Sequence, residues 1–165
     1  MTATIKGFEP LYIQRIAQLT NKSNQFNLTT LRCSEDDIRA MAGDKNDLCL
    51  CGKLVDKFGD NGIVTVVAGR QQGDVLDLTL WLMSCRVLKR GMEDAMMDTV
   101  VPEAAARGVK TIVGHYYPTA KNAMVREFYA QYDFAKTAED ADGNTEWTLD
   151  VAAYTPKHPH MKIER

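Results

Sequence analysis

Apolar positions change their spacing several times along the chain, and each change marks an element boundary. From Glu9 to Asn24, Tyr12, Ile13, Ile16 and Leu19 recur at steps of three and four with Gln14, Arg15 and Gln18 between them. Pro10 suits a first helical turn, so this spacing predicts an amphipathic entry helix. Asn27 to Cys33 reads as a short strand. Ser34 then precedes Glu35, Asp36 and Asp37, a helix cap followed by acids where the helix dipole favours them, and predicts a second helix to about Gly43. Three strands follow, Asp47 to Lys57, Gly62 to Gln71 and Val75 to Cys85. Gly59-Asp60-Asn61-Gly62 and Gln71-Gln72-Gly73-Asp74 separate them, which predicts an antiparallel meander. Helical spacing returns over Met92 to Arg107 and stops at Gly108, with Pro102 a place for a kink. Val109 to Tyr117 reads as a buried strand, and Lys121 to Tyr132 as a helix with Met124, Val125, Phe128 and Tyr129 inward. A hairpin turning at Asp142-Gly143-Asn144 closes the pattern, and Lys157 to Arg165 reads as a tail.

Helices and strands in this order predict a mixed-sheet α/β layered domain. The third meander strand, the long helix and the return strand make one right-handed crossover, and ligands bind beside the carboxyl end of such a strand. The Met83 to Glu93 junction is therefore the place to look for chemistry. Bulk properties narrow the field. With 165 residues and 45% hydrophobic content there is material for one core. Twenty basic against 22 acidic residues, a net charge of -2, give no field to hold a nucleic acid. The apolar stretches are too short and interrupted for a membrane span. Cys33, Cys49, Cys51 and Cys85 follow no secretory leader, which predicts reduced thiols and a cytoplasmic location. Cys49 and Cys51 lack two further ligands at workable spacing, so no metal is expected.

The junction itself runs Met83-Ser84-Cys85-Arg86-Val87-Leu88-Lys89-Arg90-Gly91-Met92-Glu93. A strand that turns straight into a helix N-terminus presents free N–H groups to an anion, and Arg86, Lys89 and Arg90 add cations suited to a pyrophosphate. Here the chain resembles the N-acetyltransferase (GNAT) superfamily, whose coenzyme A loop reads Arg/Gln-x-x-Gly-x-Gly/Ala between its fourth strand and third helix. Arg86 and Gly91 match that pattern, and Lys89 stands where the family has its first glycine. More closely, Arg15 to Lys22, Asn24 to Thr30, Asp56 to Gly62, Trp81 to Leu88 and Pro118 to Asn122 resemble segments of FkbH-like proteins. In that family a phosphatase-like domain related to the haloacid dehalogenases loads a glyceryl group onto an acyl carrier protein in methoxymalonyl extender-unit biosynthesis, and an acetyltransferase-like domain follows it. The only Asp-x-Asp here, Asp140-Ala141-Asp142, falls in the closing turn with no apolar strand before it, so the loading chemistry does not carry over.

The resemblance implies an acyl-CoA N-acyltransferase fold, a mixed, mostly antiparallel sheet flanked by helices. Residues 1–26 are expected to add an N-terminal helix packed on the domain, 27–152 to form the domain itself and 153–165 a tail. It also implies acetyl-CoA or another acyl-CoA as donor, or the phosphopantetheine arm of an acyl carrier protein. Cys85, Arg86, Val87, Lys89, Arg90, Gly91 and Asn122 are the expected binding residues, and Tyr129 the acid that protonates the leaving thiolate. Asp77 is a possible general base, and His115 reads as a core histidine. Against this enzyme stands a non-catalytic module docking a carrier protein or a separately encoded phosphatase-like partner through the first helix, a surface that a homo-oligomer would equally cover.

Overall fold

The computed structural model describes residues 1–165 as one eight-stranded sheet with helices on both faces. In chain order the elements are β1 (Thr2–Lys6), α1 (Ile13–Lys22), α2 (Glu35–Gly43), β2 (Asp47–Asp56), β3 (Gly59–Gln72), β4 (Val75–Met83), α3 (Met92–Ala106), β5 (Thr111–Tyr116), β6 (Ala135–Glu139), β7 (Thr145–Asp150) and β8 (Lys162–Glu164). The strands lie in the order β6-β7-β5-β4-β3-β2-β1-β8, parallel only at β4/β5 and β1/β8.

The expected meander of β2, β3 and β4 is present; the second hairpin turns within the expected residues, at Gly73-Asp74, while the first turns earlier, at Lys57-Phe58, and the expected turn residues 59–62 pair as the start of β3. The second helix starts as expected. Ser34 accepts from the Asp37 N–H while the Asp37 carboxylate accepts from the Ser34 N–H, a reciprocal cap. The long helix runs on through Pro102. Four further expectations need correction. Asn27 to Cys33 is not a strand beyond a single bridge, Asn27 to Leu82, because Thr30 takes a left-handed backbone (φ +58°) that turns the chain. Lys121 to Tyr132 is two short 3-10 turns, Ala123–Val125 and Tyr129–Tyr132. Val125 and Phe128, like Tyr129 and Tyr132, are three apart, and a three-residue turn sets both pairs into the core. The N-terminal segment holds a strand, β1, besides its helix. The tail returns as β8 beside β1, so Thr2–Lys6 and Lys162–Glu164 extend the central sheet at its edge, while α1 packs on it as the expected N-terminal helix.

Two cores flank the sheet. α1 and α2 bury Ile13, Ile16, Ala17, Leu19 and Ile38 on one face, and α3 buries Met92, Met96, Met97 and Val100 on the other. A bulge decides which face each part of β4 serves. Ala68 pairs Leu80 while Gly69 pairs Leu78, leaving Thr79 as the extra residue. Leu76 and Leu78 therefore point to the α3 core, Leu80 and Leu82 to the α1/α2 core, and Trp81 and Met83 to the α3 core again. β4 and β5 pair only from Val75 opposite Thr111 to Asp77 opposite Val113, and then separate. The wedge between them is where the sheet is open to function.

Tyr129 packs across this wedge, edge-on to Trp81 of β4 and flat against Gly114 of β5. A Cβ on Gly114 would sit 2.5 Å from the Tyr129 ring. Gly114→Ala is expected to cost about 1–3 kcal/mol of stability by overpacking. Urea unfolding of the variant against the parent checks it, and an unchanged midpoint would remove Gly114 as the constraint on that ring.

Candidate functional site

β4 ends at Met83, and Ser84 caps the 3-10 turn Cys85–Val87 by accepting from the Arg86 N–H with its hydroxyl and from the Val87 N–H with its carbonyl. Two N–H groups of this turn, those of Arg86 and Val87, are thus already bonded. Lys89 keeps a left-handed conformation (φ +61°), which costs a non-glycine residue about 1 kcal/mol, and gives its N–H to the Glu93 carboxylate at 3.1 Å. Arg90 pairs with the carboxylate of Asp56, and Gly91 has Pro159 and Met161 of the C-terminal segment against it. Glu93 and Asp94 together put two negative charges in the first turn of α3. Val87 is buried. Of the residues expected to hold a pyrophosphate, Arg86 and Cys85 alone face an open cleft.

That cleft, about 670 Å³, lies between α1 and the end of β4 and is lined by Arg15, Leu19, Lys22, Phe26, Met83, Arg86 and Lys121, among others. Four cations and no carboxylate line it, and none of Arg15, Lys22, Arg86 or Lys121 forms an ion pair. Burial, and then the nearby Arg86 guanidinium, push the Arg15 guanidinium below its ordinary value. Unpaired cations that raise one another's energy are relieved by an anion. Sequence reasoning missed Arg15, Lys22 and Lys121 because they come from two distant segments, and only the α1 spacing, which puts Arg15 and Lys22 seven apart on one face, hinted at the arrangement.

On the other side of the wedge, α1 and α2 leave the sheet face of β5 and β7 uncovered. His115 Nε2 and Asp77 Oδ1 share a hydrogen bond of 2.5 Å there, His115 stacks on Tyr117, and Glu146 sits opposite His115 across the β5/β7 ladder. His115 is thus no core histidine. With Nε2–H given to Asp77, Nδ1 is left as a free acceptor beside an exposed aromatic ring. The carboxylates make this a negative corner: burial, then Asp77, then Glu146 raise the Tyr117 hydroxyl above its ordinary value.

The other expected residues hold the wedge together. Asn122 is fully buried. Its side-chain amide donates to the carbonyls of Asn27 and Tyr117, and its side-chain oxygen accepts from the Thr119 N–H. Tyr129 is enclosed by Trp81, Phe128 and Phe134. Burial, and then the charge of Asp77, raise its hydroxyl far above the usual range. Cys33, Cys49 and Cys51 lie within the sheet and helix packing, and burial pushes the latter two thiols up to about 12. Nowhere do three or more metal-binding side chains gather, and no helix is long and apolar enough to cross a membrane.

No family model and no curated protein sequence matches the chain. Solved structures match over nearly its whole length. Ard1 from Thermoplasma volcanium superposes with a TM-score of 0.71 at 16% identity, covering 91% of this chain and 98% of that one. The ribosomal-protein-S18-alanine N-acetyltransferase from Escherichia coli superposes with 0.68 at 14% identity, covering 90% and 94%. Spermidine N-acetyltransferase from Vibrio cholerae, in complex with CoA and spermine, superposes with 0.67 at 9% identity, covering 91% and 96%. The fold is that of the GNAT acetyltransferases.

Two predictions follow from the geometry of the loop and cleft. Among the four thiols Cys85 alone is exposed, so a thiol reagent is expected to label it rapidly and the other three only on unfolding. Mass mapping of the modified peptides checks this. The Arg90 side chain, and then the Phe58 N–H, hold the Asp56 carboxyl below its ordinary value. A carboxyl whose folded pKa is depressed adds stability above its unfolded value, about 3.9, and loses it as pH falls through the lower folded value. Asp56→Asn is expected to lower the unfolding midpoint at neutral pH and to close the gap to the parent in acid. An equal gap at both pH values would dissociate that stability from the ionised Asp56–Arg90 pair.

Proposed function

We propose that the chain is an acyltransferase that takes an acyl group from a phosphate-bearing thioester and passes it to an amine. The observation that carries this reading is the cleft of four unpaired cations at the end of β4, on a sheet with the GNAT fold. Arg15, Lys22, Arg86 and Lys121 bind a phosphate there by side chains alone, a change from the backbone mode expected of the loop. Across the wedge the Asp77 and Glu146 carboxylates attract an ammonium, and His115 Nδ1 takes its proton. The amine nitrogen attacks the thioester carbonyl, a C–N bond forms and the C–S bond breaks. Tyr129, whose ring lies against Trp81 beneath the wedge, offers its hydroxyl as a hydrogen-bond donor to the departing sulfur. As the C–S bond breaks the nitrogen sheds its second proton to water, and the imidazolium of His115 supplies the proton that the thiolate finally takes.

Two donors share this end. A coenzyme A donor carries a nucleotide pyrophosphate, and a carrier protein's phosphopantetheine a single phosphodiester. The loop at residues 89–91, bonded to Glu93, Asp56 and the C-terminal segment, favours the second, as does the resemblance to FkbH-like proteins and through it to methoxymalonyl extender-unit assembly. The first has support from the CoA bound in the spermidine N-acetyltransferase structure. A non-catalytic docking module is a second reading, favoured by the internal bonding of residues 26–29 described below. It loses the first helix as its docking face, since the apolar side of α1 is buried on the sheet.

Titration calorimetry with acetyl-CoA and with CoA, beside an Arg86→Ala variant, tests the reading. The parent is expected to bind in the micromolar range, and the variant about ten- to a hundredfold more weakly, as for a lost charge-assisted contact of about 1.5–3 kcal/mol. Absence of binding by the parent sinks the coenzyme A donor. Acyl-carrier-protein thioesters with polyamine acceptors then decide between transfer and docking.

A further inference from the structure

Where β4 and β5 separate, the N–H and C=O groups of Trp81 and Met83 point into the wedge, and residues 26–29 meet them. The Met83 N–H donates to the Phe26 carbonyl at 2.9 Å, the Leu28 N–H to the Trp81 carbonyl at 3.0 Å, and the Thr29 hydroxyl to the Thr79 carbonyl at 2.8 Å. On the opposite side the Tyr117 N–H donates to the Leu28 carbonyl at 2.8 Å. These residues therefore act as a piece of strand between β4 and β5. The piece is latched by Asn122, which donates to the Asn27 carbonyl at 3.0 Å, and by the Asn27 side chain, which accepts from the Thr30 N–H at 2.9 Å.

Phe26 lines the cation cleft, while Leu28 and Thr29 reach Tyr117 and Thr79 beside the Asp77–His115 pair. The segment thus lies between the place where a donor's phosphate binds and the place where an acceptor loses its proton. One sign marks it as a state held against resistance. Thr30, a β-branched residue, stands at φ +58°, a strained conformation that persists only under restraint from its surroundings. The restraint combines these hydrogen bonds with the buried side chains of Phe26 and Leu28, and an extended arm carrying amides can replace the hydrogen bonds on the β4 edge one for one.

We propose that residues 26–29 are an autoinhibitory gate. In the closed state they occupy the β4 edge, and an extended amide-bearing thioester arm binds by displacing them and taking over their hydrogen bonds to Trp81 and Met83. This rests on the acyltransferase reading. A ligand confined to the open state has an apparent affinity reduced by the fraction of open molecules, so weakening the latch strengthens binding.

Hydrogen exchange of the full chain, with and without acetyl-CoA, reads the gate directly. Acetyl-CoA is expected to speed exchange of the Leu28 amide, which loses its carbonyl partner, and to leave the Met83 amide protected, since the arm replaces Phe26. A binder fixed outside the wedge would slow both or change neither. Thr29→Val removes one hydrogen bond of the closed state at nearly constant shape. It is expected to tighten acetyl-CoA about three- to tenfold, the effect of one net hydrogen bond on the closed population. Binding of acetyl-CoA with an unchanged Leu28 amide overturns the gate and leaves the transferase reading standing. Binding by Thr29→Val alone supports the gate, and binding by neither protein overturns the gate together with the coenzyme A donor.

Discussion

Parallel strands that part company leave backbone N–H and C=O groups facing a gap, and a buried group without a partner costs more than a hydrogen bond gains. In this chain the gap opens after Asp77 and Val113, and the arrangement around it follows from how its edges are satisfied. Residues 26–29 take the β4 edge and the N–H of Tyr117 just past β5, Asn122 fastens them from below, and the aromatic ring of Tyr129 closes the α3 side. Asn122 is buried for this reason, since its side-chain amide is the only group placed to join the carbonyls of Asn27 and Tyr117. The 3-10 turns at residues 123–125 and 129–132 follow as well. An α-helix from Lys121 would carry Phe128 and Tyr129 away from positions they must fill beneath the wedge.

Charge settles the second feature. A helix N-terminus attracts anions whatever their source, and α3 draws on its own carboxylates, Glu93 and Asp94, with Arg90 tied to Asp56. A phosphate approaching residues 89–91 meets the carboxylates of Glu93 and Asp94, with the Lys89 N–H already given to Glu93. The cations left over are those without acidic neighbours, and they collect where α1 passes the end of β4. The positive site has moved by one element from the loop to the cleft.

Local rules made much of this legible. The cap at Ser34 and the glycine-bearing second turn of the meander are decided within a few residues, and sequence reading placed both, whereas the first turn forms at Lys57-Phe58, ahead of the glycines expected to seat it. The strand-to-helix turn that carries Arg86 was placed by the same local rules. The other misses are all elements whose state is decided by a distant partner. β8 has three residues and little pattern of its own, and it becomes a strand because β1 lies beside it. Thr2 to Lys6 does alternate, with Ala3 and Ile5 buried, and that period of two was a readable signal. Asn27 to Cys33 has β-tolerant residues, yet the wedge accommodates only its first three. His115 looked like core because a lone histidine on an apolar strand gives no sign that Asp77, 38 residues away, faces it.

The positions of the two candidate centres make the segment at 26–29 more than a filler. If the wedge were filled by a rigid apolar plug, the cation cleft and the Asp77–His115 pair would be unrelated surface features, each without a reason for its chemistry. A plug made of main-chain polar groups differs in kind. Its bonds to β4 are of the sort any amide-bearing chain can make, so exchange of one chain for another costs little net hydrogen bonding. The apolar anchors Phe26 and Leu28 give the closed state its stability, and the left-handed Thr30 takes some of it back. A segment balanced in this way can connect the two centres when a ligand enters and seal the wedge against water when none is present. The same backbone demand that fills the wedge thereby offers a route for opening it.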